Sequence, residues 1–111
     1  MLFDKLSSNP EWTEQKLALM RQHHAEWQFC FDLEDESWHS LQRRHYRQCS
    51  ELEAHSLDVL KRVQLIKQQI QDIQDWHKMI DSYRQTLRAH QAGETLNLDE
   101  AKRALSTHFL P

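Results

Sequence analysis

Apolar residues recur every seven positions along the middle of the chain, where no glycine or proline occurs between Glu34 and Ala92. One row consists of Trp38, His45, Leu52, Val59, Ile66, Ile73, Ile80 and Leu87. A companion row, offset by four, consists of Cys49, Ser56, Val63, Ile70, His77 and Arg84. Alternating steps of three and four place these side chains on one helical stripe, which is typical of a coiled-coil seam.

This pattern predicts an all-α chain, either an antiparallel helical hairpin or a small helical bundle with one long coiled-coil helix. The residues that form the tight turns of a β fold are nearly absent, because Gly93 is the one glycine and the prolines are Pro10 and Pro111. We expect a single helical domain over residues 1–111. Its predicted parts are an N-terminal arm at 1–9, a first helix at 10–31, a long heptad helix at 36–92 and a short C-terminal helix at 97–109.

Local signals set these boundaries. Asn9 followed by Pro10 is a typical helix start, since proline at the first helical position sacrifices no hydrogen bond. Four acids in the run 32–36 repel one another, which predicts a break there. Gly93 is expected to end the long helix as its C′ residue, and Asn97 to cap the next one.

A predicted short helix cannot cover a much longer one, so part of the seam needs a further partner. The chain can pair with a second copy, pair with a foreign helix, or break near residues 55–58 with Ser56 as the cap and form a three-helix bundle. The lack of glycine and proline there argues against the break. The expected partner-binding seam consists of Leu52, Val59, Val63, Ile66, Ile70, Ile73, Ile80 and Leu87.

Composition narrows the classes of partner. The net charge of −3 and the pI of about 6.2 oppose nucleic-acid binding, which needs concentrated positive charge. The exception is the cluster of Arg43, Arg44 and Arg47 beside Tyr46, a candidate phosphate contact that an ion-pair network with nearby acids explains better. The mean hydropathy of −0.85 is also found in disordered chains, but the strong periodicity opposes disorder.

The sequence predicts a cytoplasmic protein without membrane insertion. No apolar run approaches the roughly 20 residues that span a bilayer, and the start of the chain lacks the pattern of a signal peptide. Cys30 and Cys49 are then expected to be free thiols. A disulfide between them would require the first helix to fold back.

Metal chemistry has weak sequence support. A di-iron carboxylate bundle needs two Glu-x-x-His pairs, and the chain offers one, Glu36 with His39, besides Glu51 and His55 at a spacing of four. A zinc site would need a set of ligands brought together by folding. The candidate zinc ligands are His23, His24, Cys30, His45 and Cys49.

Packing explains the seam histidines better than metal binding does. His45 and His77 are expected to set helix register, and they would make assembly sensitive to acid. No glycine-rich phosphate loop and no glycine-flanked serine occurs in the sequence, and a rod of helices offers no concave pocket. We therefore expect no enzyme activity, cofactor or metal.

Trp76, Met79 and Tyr83 form a second candidate partner face, because Trp76 falls off the predicted seam and aromatic residues dominate interface energetics. The favoured function is a non-enzymatic interaction protein: an adaptor, an assembly or secretion chaperone, or a complex subunit, acting as a homodimer or a hetero-complex through the long helix. The alternatives are a nucleic-acid accessory protein that uses Arg43, Arg44 and Arg47, and, after it, a metal-binding helical bundle. No motif identifies a family.

Overall fold

The computed structural model describes residues 10–55 and 58–109, with side chains described over 11–55 and 58–105. Two helices occupy these ranges, α1 at Pro10–His55 and α2 at Val59–Phe109. Because the described ranges contain no strand, the expected all-α class is confirmed. Neither described helix includes a stretch that is long and apolar enough to cross a membrane.

Helix α1 begins where the sequence predicts, at Pro10, with the acidic Glu11 in its first turn. The fixed backbone angle of proline suits the first helical position, and a carboxylate there faces the positive end of the helix dipole. The predicted arm at 1–9, including the expected cap Asn9, lies outside the described residues.

The break predicted in the acidic run 32–36 is wrong, because α1 continues through it. Partners offset the repulsion among the carboxylates. Glu34 is ion-paired with Arg84, and Asp35 lies 3.3 Å from the His39 imidazole one turn later. The run also lacks any residue that breaks a helix, so local charge relief is sufficient for α1 to continue.

Helix α1 ends at His55, the described Asp58 is not helical and α2 begins at Val59, so the predicted long helix at 36–92 is wrong. The interruption falls where the alternative disfavoured by the glycine and proline argument placed it. Asp58 provides the cap: its Oδ1 accepts a hydrogen bond of 2.9 Å from the Leu60 backbone N–H. A capping carboxylate satisfies a free N–H at the helix start without any special backbone residue. Ser56, the predicted cap, lies outside the described residues.

Gly93 does not end a helix, because α2 runs through it and its backbone has no positive φ. The segment 97–109 is therefore continuous with α2, and Asn97 is an interior helical residue. A glycine costs about 1 kcal/mol in a helix interior, which side-chain contacts on either side can offset. Gln91 and Glu94 make such contacts with α1.

The contacts divide the chain into two units: a terminal unit, Met1–Phe29 with Gln85–Pro111, and a central unit, Cys30–Arg84. In the terminal unit the two helices run antiparallel. Trp27 donates a 2.7 Å hydrogen bond to Gln91, whereas the earlier His23 meets the later Glu94 at 3.2 Å. Leu87 is buried in this unit, and the Arg88 guanidinium lies 5.6 Å from the Trp27 ring centre, a cation–π contact.

In the central unit the helices again run antiparallel, since Glu34 pairs with Arg84 and the later Arg44 pairs with the earlier Asp72. The buried apolar residues among its described side chains are Cys30, Leu41 and Ile80. Two tryptophans with tilted rings in contact and a set of polar contacts across the helices accompany this small core.

Candidate partner-binding face

Four apolar side chains in the central unit lie in a line on the solvent face of α2. Val59, Val63, Ile66 and Ile70 are 72, 41, 55 and 51 % exposed, respectively. They follow steps of four, three and four, so they share one stripe of the helix. We name these four residues the outer row.

A polar residue, Gln69, faces α1 beside the outer row. Its amide nitrogen donates to the His45 backbone carbonyl at 3.2 Å and to the Gln48 side-chain oxygen at 3.4 Å, and it contacts the Cys49 sulfur at 3.4 Å. One helical position corresponds to a rotation of about 100°. Because Gln69 points towards α1, the next residue, Ile70, points to the side of α2 that α1 does not cover.

Asp72 extends this polar contact by one turn. Its carboxylate lies 3.0 Å from His45 Nε2, and it accepts hydrogen bonds from Arg44 at 3.2 Å and from Gln68 at 2.9 Å. The hydrogen bond from Gln68 contributes most to lowering the pKa of Asp72 below its ordinary value of 3.8, followed by that from His45. Partial burial opposes the shift, and the charge of Arg44 adds to it.

The outer row is apolar surface with positive charge on its flanks. Fully burying an exposed large apolar side chain stabilises a complex by about 1.5–3 kcal/mol, and the exposed fractions of 41–72 % leave about half of that for a partner to gain at each residue. Arg62 and Lys67 lie beside the row, one on each side, and Lys61, the third charged residue within 59–71, lines the groove towards α1 with Leu65 and Leu52. The chemistry of this face favours an apolar surface bordered by acids.

The predicted seam divides into three groups. Ile80 and Leu87 are buried against α1, Leu52 and Ile73 are half-buried, and the outer row is exposed. The length mismatch used to infer a free seam is wrong, because α1 and α2 have 46 and 51 residues. The half-buried positions beside the exposed row hold two polar residues, Gln69 and Asp72, as well as Leu65 and Ile73. Partner binding by the seam stays a prediction.

The second candidate face is only partly on the surface. Trp76 does not lie off the packing surface as expected: its indole N–H donates to the Ser37 hydroxyl at 2.8 Å, and its ring centre is 4.8 Å from that of Trp38. Met79 and Tyr83 are 49 and 36 % exposed. Because Trp76 is engaged within the chain, a partner would meet mainly Met79 and Tyr83.

The arginine cluster is also divided. Arg43, Tyr46 and Arg47 line one open groove, and Tyr46 is 75 % exposed. Arg44 instead points to α2, where its guanidinium pairs with Asp72. A phosphate contact by all three arginines would require Arg44 to give up this ion pair.

The predicted metal-ligand sets have other partners. His39 pairs with Asp35 and not with Glu36, and Cys30 and Cys49 are free thiols. Of the described residues, one group brings three potential ligand atoms within reach of one another: His23, Glu26 and Glu94.

Sequence reasoning missed Glu26 and Glu94 as candidate ligands. The i, i+3 spacing of His23 and Glu26 was a usable signal, because such residues share a helix face. The approach of Glu94 was not predictable, since the helix break had been assigned to the wrong place.

Comparison with known proteins adds no relative. No protein-family model matches the chain, and no curated protein or solved structure matches it significantly.

Proposed function

We propose that this chain is a non-enzymatic interaction protein that binds a partner helix along the outer row. The observation that carries the proposal is the exposure of four large apolar side chains at coiled-coil spacing on one face of α2. An amphipathic partner helix presents apolar residues at the same spacing and can cover the row along its whole length.

The packing of α1 against α2 can also be inferred. We infer that α1 and α2 form an antiparallel helical hairpin with coiled-coil packing. Supporting this, side chains of α2 that contact α1 recur at steps of four and three: Ile80 and Arg84 in the central unit, then Leu87, Gln91 and Glu94 in the terminal unit. The partner helix would then add a third strand to the coiled coil along the outer row.

Charge selects the kind of partner. Arg62 and Lys67 flank the outer row, one on each side. If two copies paired through this row, they would bring the same positive charges together, which costs free energy. A foreign helix with acidic residues beside its apolar stripe gains from the same charges, so we assign the row to such a partner.

Two synthetic helices test this assignment. Each has four heptads with leucine at a and d; one carries glutamate and the other lysine at e and g. We expect the chain to bind the acidic peptide, to bind it more weakly as salt rises, and not to bind the basic peptide. Ile66→Asp is expected to weaken binding by more than about tenfold, because it places a charge in the buried row. Fluorescence anisotropy of the labelled peptide measures each affinity.

Leu60→Asn is the control on the same helix. Leu60 is 63 % exposed and lies off the outer row, and asparagine removes its apolar side chain without adding a charge, so peptide affinity should be unchanged. Equal affinity for wild type and Ile66→Asp would overturn the role of the row, and equal binding of both peptides would overturn its charge preference. A dimer in light scattering that Ile66→Asp dissociates would assign the row to a second copy instead.

A further inference from the structure

Three potential metal ligands meet in the terminal unit, away from the outer row. The imidazole of His23 and the carboxylates of Glu26 and Glu94 each offer one ligand atom, and these atoms all lie within 4.8 Å of one another. All three residues are half-buried. His23 and Glu26 share one face of α1, and Glu94 approaches from α2.

The distance between two of the three ligand atoms matches that between ligands around a small divalent ion. His23 Nε2 lies 3.2 Å from Glu94 Oε1. Nitrogen and oxygen ligands bind zinc at about 2.0–2.2 Å, which places neighbouring ligand atoms of a tetrahedral site about 3.3 Å apart. This edge of the site is therefore formed without moving either helix.

The buried side-chain amide of Gln91 holds two of the three ligand residues in place by hydrogen bonds. Gln91 is 8 % exposed, and its amide nitrogen donates to a Glu26 carboxylate oxygen at 3.3 Å and to the His23 backbone carbonyl at 3.1 Å. Its own oxygen accepts the 2.7 Å hydrogen bond from the Trp27 indole. Such supporting contacts orient metal-binding side chains, and losing them typically costs about 10–100-fold in affinity.

Charge also favours a cation at this position. Two carboxylates that approach each other repel unless a positive group lies between them. The protein groups in contact with Glu94 are imidazoles: His23, and His90, whose Nε2 is also 3.2 Å from Glu94 Oε1 and whose side chain is 63 % exposed. A divalent ion would neutralise both carboxylates while leaving the imidazole of His23 neutral, the form in which it is a ligand.

We propose that His23, Glu26 and Glu94 bind a first-row divalent cation of the zinc class, with water completing its coordination. One imidazole and two carboxylates form a borderline ligand set that suits Zn²⁺. The site ties α1 to α2 in the terminal unit. It stands on observations independent of the proposed partner binding.

Calorimetric titration of Zn²⁺ into the full chain, free of any affinity tag and stripped with a chelator, tests the site. We expect one zinc per chain at pH 7.5 and a higher melting temperature with zinc than without it. Glu94→Gln keeps the shape of the side chain but removes its charge, and it is expected to weaken binding by more than about tenfold. His23→Ala is expected to do the same.

His39→Ala is the matched control. His39 and Asp35 form a histidine–carboxylate pair of similar length, 3.3 Å, on the exposed surface of the central unit, without a third ligand. Its replacement should change neither zinc affinity nor the zinc-dependent rise in melting temperature. Circular dichroism verifies that each variant is helical, and Glu26→Gln replaces any variant that is not.

Two results would overturn the proposal. One is zinc affinity in folded Glu94→Gln or Glu26→Gln equal to that of wild type. The other is a melting temperature of wild type that zinc does not change at pH 7.5, which would reduce the cluster to contacts among its own side chains.

Discussion

Ile66 and Ile80 belong to the same seven-residue row of the sequence, yet their surroundings are opposite. Ile80 is 3 % exposed and packs against α1, whereas Ile66 is 55 % exposed. The difference arises from the neighbours of each residue. Near Ile66, the side chains that face α1 are Leu65, Gln69 and Asp72, two of which make hydrogen bonds to α1, whereas Ile80 itself is buried. A regular apolar repeat identifies a stripe of the helix but not what covers each part of it.

Side chains after Leu87 can pack against α1 in the same helical register only if α2 continues through Gly93. The substitution Gly93→Ala tests this continuity. A Cβ added at Gly93 would meet no atom within 4 Å, and the backbone is helical there. Alanine is the better helix former, so the free energy of unfolding should rise by about 0.5–1 kcal/mol. Urea denaturation followed by circular dichroism measures it. Destabilisation by Gly93→Ala would mean that the glycine ends a helix after all.

A smaller effect is expected from the polar contacts beside Ile66, and it depends on pH. The folded chain lowers the pKa of Asp72, chiefly through the hydrogen bond from Gln68. A carboxyl group whose pKa is lower in the folded state stabilises that state above its unfolded pKa. The contribution is then lost as the pH falls through the folded value. Stability should therefore fall below about pH 4.

Asp72→Asn removes this titration, so its urea midpoint should depend less on pH than that of wild type between about pH 5 and 2.5. The ion pairs of Asp72 are close to solvent, and salt should reduce the difference between the two proteins. An acid dependence of Asp72→Asn identical to that of wild type would exclude this aspartate as its source.

The sequence predicted the fold class and the start of α1 at Pro10, because these follow from helical period and capping chemistry. Ile80 and Leu87 were predicted to be part of a partner-binding seam, whereas both are buried within the chain. The sequence did not predict the helix ends. Repulsion in the run 32–36 suggested a break, but relief of that repulsion depends on Arg84, which is distant in sequence. The true break needed only the capping carboxylate of Asp58, a signal that was visible beside the weaker candidate Ser56.

The candidate sites were predictable to different degrees. The outer row was within the predicted seam, since its spacing is written in the sequence, although its exposure was attributed to the wrong cause. Trp76 was predicted to lie on a surface face because it falls off the heptad row, yet its indole N–H donates to Ser37 and its ring contacts Trp38. Glu94 could join His23 only once the two helices were correctly paired.

The most direct test of this account compares the unfolding free energies of Ile80→Ala and Ile66→Ala, measured by urea denaturation at a concentration where the chain is monomeric. Ile80→Ala should cost about 2–5 kcal/mol because it leaves a cavity, whereas Ile66→Ala should cost less than about 0.5 kcal/mol because its side chain is already in water. Equal and large losses would show that Ile66 is buried within the chain, which would contradict a free outer row.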